Sequence, residues 1–317
     1  MRSQRRLVNP QNVPTIPMIT DLSAGLKYAT AIQLLFTETA STSYYNLYLG
    51  GFFYSTISGS GDYIVNLNVN TTYQIQIMAV NSSGEEFAVS NTISQKTNIV
   101  LVHPMTGLWS YYKLQDDATD SFSNKAGVIG GTVSFADGKI GRAANFDGGS
   151  YSHINLGDLV FNIVDAFSLN VWFNTTTTIL GQFIARDNYF GSLRAWQWRL
   201  SGGGLHAIRW ITGGANRQLY TGSSSGYNDG TWRMATFTFS TTNGMRLYMN
   251  GKLVIENKSY NTQGIPGTGQ PILMGANENA NNTKFIGKMD EVSMYEDYEL
   301  TPGEVSDLHN NGNGQTI

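Results

Sequence analysis

Near its C-terminus the chain runs from Phe285 to Tyr295 as FIGKMDEVSMY and then, after a turn, continues as Leu300-Thr301-Pro302-Gly303-Glu304. The first run has the apolar content of a buried strand. The second sets Thr301 and Glu304 three residues apart, the spacing of a capping box, with Pro302 at the first helical position. A sheet therefore hands over to one short helix here. Upstream, the apolar runs are short and alternating, and turn residues separate them; the chain carries 35 Gly. Neither a heptad seam nor a solenoid-type repeat is present. The pattern predicts an all-β fold with a single C-terminal helix.

With 317 residues, the chain is long enough for two β domains with their own cores. At 41% hydrophobic and 14% charged residues it is globular and not disordered. A net charge of −3 gives no general attraction to nucleic acid or to an anionic membrane. The absence of Cys excludes disulfides and thiolate metal sites. Met1 to Arg6 is basic, but Leu7 to Pro17 is polar and broken by proline, so no signal peptide is expected. No stretch reaches the length of a membrane-spanning helix.

Residues 1–11 form a basic arm with Arg2, Arg5 and Arg6. Residues 12–97 form a first domain. Within it Ala31 to Thr37, Tyr44 to Leu49, Tyr63 to Leu67 and Tyr73 to Val80 read as strands, separated by Gly50-Gly51, Ser58-Gly59-Ser60-Gly61 and Asn81-Ser82-Ser83-Gly84. Residues 98–106 link it to a second domain over 107–310, and 311–317 are a tail. In the second domain Asn250-Gly251 joins two alternating runs, the signature of a type I′ hairpin.

Two resemblances sharpen this. The stretch Leu67 to Asn81, LNVNTTYQIQIMAVN, with Gly84 and Ser90-Asn91, is similar to fibronectin type III domains. Leu67 and Tyr73 have the spacing of that family's tyrosine corner, and Phe36 stands for its usual tryptophan. The second domain resembles laminin-G-like, concanavalin-A-like jelly rolls through an ordered series of blocks. These are GLWSYY from Gly107, DSFSN from Asp120, GKIGRAANFDG from Gly138, FSLNVWF from Phe167, DGTWR from Asp229, LYMNGK from Leu247, Gly275-Ala276 and the closing FIGKMDEVSMY. Arg233 takes a position where that family often has His. The resemblances imply two tandem β-sandwiches, fibronectin-III-like then jelly roll, that hold or display ligands and do not turn them over.

Catalytic chemistry finds little support. Glycosidases on this kind of fold need two carboxyl groups flanking the sugar bond. Asp290 and Glu291 are adjacent, so on a regular strand they point to opposite faces, and Glu296 is far along the strand. The four His residues, His103, His153, His206 and His309, have no metal-ligand spacing. Gly222 to Gly226 matches Gly-x-Ser-x-Gly, but Tyr227-Asn228-Asp229-Gly230 follows it, where a nucleophile elbow needs a helix. Calcium is the one ion with a candidate set: Asp120 and Asn124, beside Asp116 and Asp117, with Asp290 brought in by the jelly-roll resemblance. The competing reading is an Asx-rich turn capping its own backbone.

For ligand contact, Trp196 and Trp198 share parity with Leu200 and so face the core, as does Trp172. That leaves Gln197 and Arg199 on the solvated face, with Arg209. Tyr189, Tyr220 and Tyr227 sit among Gly-, Asn- and Ser-rich loops as candidate exposed contacts. The expected function is a non-catalytic decoration protein of a tailed-phage virion, present in many copies. The arm, through Arg2, Arg5 and Arg6, and the first domain would dock to other virion proteins. The second domain would bind a host-surface glycan, with neither nucleic acid nor membrane as partner. The alternatives are a bacterial cell-surface lectin or glycan-utilisation binding protein, and a degenerate glycosidase.

Overall fold

The computed structural model describes residues 17–98, 103–149, 152–187, 194–211, 214–265, 269–277 and 283–317. The described residues are nearly all β, 49% of them in strands, with one short α-helix among them. The chain divides into two compact units. The described parts of the first are 17–27, Ile32–Ile64 and Asn70–98; the second takes Tyr28–Ala31, Val65–Val69 and the chain from 103 onward.

In the first unit the strands are β1 (Met18–Ile19), β2 (Ser23–Lys27), β3 (Ile32–Leu35), β4 (Tyr44–Leu49), β5 (Phe52–Ile57), β6 (Tyr63–Ile64), β7 (Thr72–Val80), β8 (Glu86–Ser90) and β9 (Ile93–Lys96). One sheet runs β1-β8-β7-β4-β5 with β9 also on β7, and β2-β3-β6 form another. Alternate residues are buried: Ile32 and Leu34, Tyr45 and Leu47, Ile75, Ile77 and Ala79. Burial at every second position is what turns these runs into strands. Phe36 is buried edge-on against Tyr45, ring centroids 4.8 Å apart. The apolar pattern gives no sign of β5, because its Phe52 and Phe53 both face solvent.

In the second unit the strands are β10 (Leu108–Tyr112), β11 (Val128–Gly130), β12 (Val133–Asp137), β13 (Arg142–Asp147), β14 (His153–Asn155), β15 (Ala166–Asn174), β16 (Gly181–Asp187), β17 (Arg194–Ser201), β18 (Gly204–Trp210), β19 (Asn216–Tyr220), β20 (Arg233–Ser240), β21 (Gly244–Met249), β22 (Lys252–Asn257), β23 (Leu273–Met274) and β24 (Ile286–Glu296), followed by α1 (Pro302–His309). An eight-stranded sheet has the order β12-β13-β24-β15-β20-β21-β22, with β10 on β24; a seven-stranded sheet has the order β11-β14-β23-β16-β17-β18-β19. Phe146, Phe167, Leu169 and Phe173 from the first meet Phe183, Trp196, Trp198 and Leu205 from the second in one core. Asn250 and Gly251, with φ of 52° and 77°, make the tight turn between β21 and β22, and these positive angles are those of a type I′ turn.

Trp172 is buried elsewhere than the inter-sheet core. It joins Tyr111, Met234, Tyr248 and Tyr295 on the outer face of the eight-stranded sheet, under Leu300, Val305 and Leu308. The helix that covers this face begins at the capping box: the Glu304 N–H donates to Thr301 Oγ1 at 3.2 Å and the Thr301 N–H to Glu304 Oε2 at 2.8 Å.

The adjacent carboxylates of β24 depart from the opposite-face expectation. Met289, Val292 and Met294 all face the inter-sheet core, so two residues, not one, separate Met289 from Val292. The pairing with β15 shifts there, between Asn170 and Trp172, and Glu291 takes a φ of 50°. This β-bulge turns both Asp290 and Glu291 to the face under α1. Asp290 accepts N–H bonds from Lys139 at 2.8 Å, Ile140 at 2.9 Å and Glu291 at 2.9 Å. Burial nevertheless pushes its carboxyl up to about 7. Glu291 has no well-formed hydrogen bond to either oxygen; burial pushes it up to about 8, and only the Thr316 hydroxyl opposes this.

Two outcomes are expected. Thr301→Ala removes the cap and should cost about 1 kcal/mol of stability, read as a lower denaturant midpoint with an unchanged slope. Glu291 is raised in the folded state, so its contribution is fully present below the ordinary carboxylate range and is lost as pH climbs through about 8. The Tm should therefore fall between about pH 5 and about pH 8. Glu291→Gln should flatten that fall; an identical profile in the variant would show that Glu291 does not titrate in the fold.

Candidate functional site

With α1 on one outer face of the second unit's sandwich, the outer face of the seven-stranded sheet is the other surface a ligand can use. Strand alternation builds it. Trp198, Leu200, Leu205, Ala207 and Leu219 point inward, so Gln197, Arg199, His206, Gln218 and Tyr220 point outward. The register sets Gln182 and His206 on either side of Arg199, and Tyr220 beyond His206.

These side chains form one hydrogen-bonded chain. The Gln197 amide N–H donates to Asp187 Oδ2. Gln197 Oε1 accepts from Gln182 Nε2 at 3.3 Å and from Arg199 Nη1 at 2.6 Å. Arg199 Nε also donates to His206 Nδ1 at 3.2 Å. With Nδ1 accepting, the imidazole proton sits on Nε2 and is donated to Gln218 Oε1 at 3.0 Å. Gln218 Nε2 then donates to Asn216 Oδ1 at 2.8 Å. Burial, reinforced by the Arg199 charge, pushes His206 down to about 4, so it is neutral at ordinary pH. The Tyr220 hydroxyl is fixed on Ser201 O at 2.8 Å, and its ring lies 5.1 Å from that of His206.

Behind this lies a buried acceptor pole. Gln182 Oε1 and Asp187 Oδ1 lack hydrogen-bond partners, and Asp187 Oδ1 lies 3.7 Å from Arg194 Nε. Burial raises the Asp187 carboxyl, against the Gln197 hydrogen bond and the charges of Arg194 and Arg199. Arg194 in turn lies 5.1 Å over the Trp210 ring. A face whose polar groups are already held in place binds without the entropy cost of ordering them.

Of the residues expected to contact ligand, Gln197, Arg199 and Tyr220 come together here, but Gln197 is only 2% exposed, so it braces Arg199 from below and is not solvated as its strand's alternation suggested. Arg209 does not join them. It pairs in register with Trp196 and so points to the core side, fully buried, its guanidinium 3.4 Å from the Phe239 ring centroid and donating to Thr262 O at 3.2 Å. Tyr227 is half-buried against the inter-sheet core with Arg233 5.6 Å over its ring, and its backbone N–H bonds to Gly203 O. Tyr189, Arg2, Arg5 and Arg6 lie outside the described residues. Gln182, Asp187, His206 and Gln218 were missed. Their signal is the one that marked Gln197: polar residues at alternate positions within apolar strands.

The donors proposed for calcium are engaged by the backbone. Asp120 Oδ1 accepts N–H bonds from Tyr111 at 2.9 Å, Phe122 at 2.9 Å and Ser123 at 3.1 Å. Asp117 accepts from Thr119 at 2.9 Å, and Asp290 is held as above. Asn124 adopts a φ of 57°. The Asp117 and Asp120 contacts are Asx turns. Among the described residues no three His, Asp or Glu side chains gather where they would hold a metal. Asp290 and Glu291 are 0% and 2% exposed, sealed from a polysaccharide. Ser223–Ser225 is a single 3₁₀ turn ending at Gly226, with no helix behind it.

Comparison with known proteins agrees with this architecture. Residues 147–306 match the model of the concanavalin A-like lectin/glucanases superfamily, in its laminin G form. No curated protein matches the chain significantly. Among solved structures, the binding domain of Paraclostridial Mosquitocidal Protein 1 is similar at a TM-score of 0.54 and 20% identity, covering 64% of this chain and 52% of that one. Domain 4 of AbnA, an extracellular GH43 arabinanase from Geobacillus stearothermophilus solved with arabinotriose, gives 0.51 and 24% over 63% of this chain and 97% of that one. The receptor binding domain of botulinum neurotoxin D gives 0.51 and 16% over 65% and 53%. The chain thus spans about half the length of the two toxin domains. The family match covers half of the chain, which belongs to the concanavalin A-like lectin/glucanases superfamily.

Proposed function

We propose that the second unit is a non-catalytic carbohydrate-binding module whose ligand lies on the outer face of the seven-stranded sheet. The observation that carries this is the hydrogen-bonded chain from Asp187 through Gln197, Arg199 and His206 to Gln218, flanked by the half-exposed Tyr220 ring. Amide and guanidinium donors suit sugar hydroxyls, and an aromatic ring suits the apolar face of a pyranose. The similar structures described as binding domains, and the arabinanase domain solved with arabinotriose, support the same use of the fold.

The finer placement is also our proposal. The first unit is a fibronectin-III-like spacer, and the chain decorates a tailed-phage particle in many copies, anchored by its basic arm. The support is the pairing of two sandwich types in sequence. Many copies turn a single-site affinity on the order of millimolar to micromolar into useful attachment.

On a glycan array, a multivalent display of the full chain should bind a defined subset, and Tyr220→Ala should lower monovalent affinity about tenfold with an unchanged Tm. A display that binds no glycan and no cell would leave only a structural role. The chain should release no reducing ends from any bound polysaccharide; release that disappears in Glu291→Gln would establish an enzyme.

A further inference from the structure

We infer that the ligand of this face is an extended oligosaccharide lying along β19, held at internal sugar residues and not by a terminal sugar; this rests on the carbohydrate-binding reading above. Among the described residues β19 stands at one end of the seven-stranded sheet. Asn216, Gln218 and Tyr220 occupy its alternate positions, and all three are exposed. Leu219, between the last two, is buried in the inter-sheet core. Alternation therefore sets the three in one line on the outer face. From Asn216 to Tyr220 the strand advances about 13 Å, the length of about three linked sugar rings.

The line is held in place before any ligand arrives. His206 Nε2 donates to Gln218 Oε1, and Gln218 Nε2 donates to Asn216 Oδ1. Both amide planes thus have a fixed sense. An amide nitrogen carries two N–H bonds. Gln218 uses one on its neighbour, and Asn216, accepting through Oδ1, presents its nitrogen on the side away from Gln218. Tyr220 is held at both edges of its ring. Its hydroxyl is fixed on Ser201 O, and the turn between β17 and β18 closes on the ring: a Cβ on Gly204 would stand 2.9 Å from Tyr220 Cε2 and 2.2 Å from Gly222 O. Glycine at 204 is what lets the hairpin and the ring pack together.

These groups form a strip along a strand. The next strand inward, β18, adds little that a ligand can reach: its Ile208 and Trp210, in register with Gln218 and Asn216, are buried. The accessible line is therefore that of β19. A site for one small molecule encloses most of its surface, whereas Tyr220 is 39% exposed and offers one ring face. A single sugar stacked there would meet Tyr220 and at most the nearer amide. Association carries a cost in lost motion that grows little with ligand length, so each further contact along the line adds to affinity. Stacking on Tyr220, then hydrogen bonds to Gln218 and to Asn216, call for successive sugars of one chain. A chain that runs along the line is recognised without either of its ends.

The test uses the full chain and calorimetry with cello-, β-galacto- and arabino-oligosaccharides of one to five residues. In a series that binds, affinity should rise at least about tenfold from the single sugar to the trisaccharide and level off beyond it. A pentasaccharide methylated at both terminal sugars should bind as well as the free one. Asn216→Ala should lower trisaccharide affinity about fivefold and so shrink the gain with length, and Gln218→Ala should act likewise; Tyr220→Ala should weaken binding at every length. Melting curves for the three variants confirm folding. Affinity that does not change with length, or binding lost when the ends are blocked, overturns the internal-chain assignment and leaves the carbohydrate reading standing. A full gain with length in both Asn216→Ala and Gln218→Ala overturns the placement along β19. Silence toward all three series and toward a broad glycan array removes the carbohydrate reading, and this inference with it.

Discussion

The burial of Leu300, Val305 and Leu308 on the outer face of the eight-stranded sheet decides what this molecule can do. A sandwich has two outer faces, and each buried side chain of this size contributes roughly 1.5–3 kcal/mol by leaving water. The helix therefore claims one face for stability, drawing Trp172, Tyr111, Tyr248 and Tyr295 into a second apolar layer. That leaves the outer face of the seven-stranded sheet for the proposed ligand. The contrast between the faces follows: aromatic and apolar where α1 lies, amide, guanidinium and imidazole where it does not.

The same covering accounts for the buried carboxylates. In a strand without a bulge, Asp290 and Glu291 would straddle the sheet and one of them would enter the inter-sheet core. The bulge at Glu291 instead keeps both out of it, at the cost of a positive φ in a non-glycine residue. Asp290 then serves as an anchor, with the Lys139 and Ile140 N–H groups fixing the 138–140 turn against β24. Glu291 is left in an environment that favours its neutral form. Both carboxyl groups are buried beneath the helix, at 0% and 2% exposure.

Most of the architecture was legible in the sequence because it rests on local signals. The period of two placed Trp196 and Trp198 inward, Asn250-Gly251 marked its hairpin, and Thr301, Pro302 and Glu304 marked the helix start. Edge and exposed strands were less legible: β5 presents Phe52 and Phe53 to solvent, so hydrophobicity and burial part company there. The site was half legible. Gln197 and Arg199 follow from one strand's alternation, but Asp187, His206 and Gln218 join them only through cross-strand register, which no single segment encodes. Arg209 shows the same limit from the other side. Its charge suggests solvent, yet its register with Trp196 and a ring to pack on hold it inside.

The hydrogen-bond chain on the open face links these strands of argument. Its charged members are Asp187 and Arg199, and Arg199 donates in both directions, to the Gln197 carbonyl and to the His206 ring. Gln197 is the hinge of the arrangement: its carbonyl accepts from the Arg199 guanidinium and its amide donates to the Asp187 carboxylate. The outward side chains of four strands are thus held in one arrangement by bonds that cross from β16 to β19.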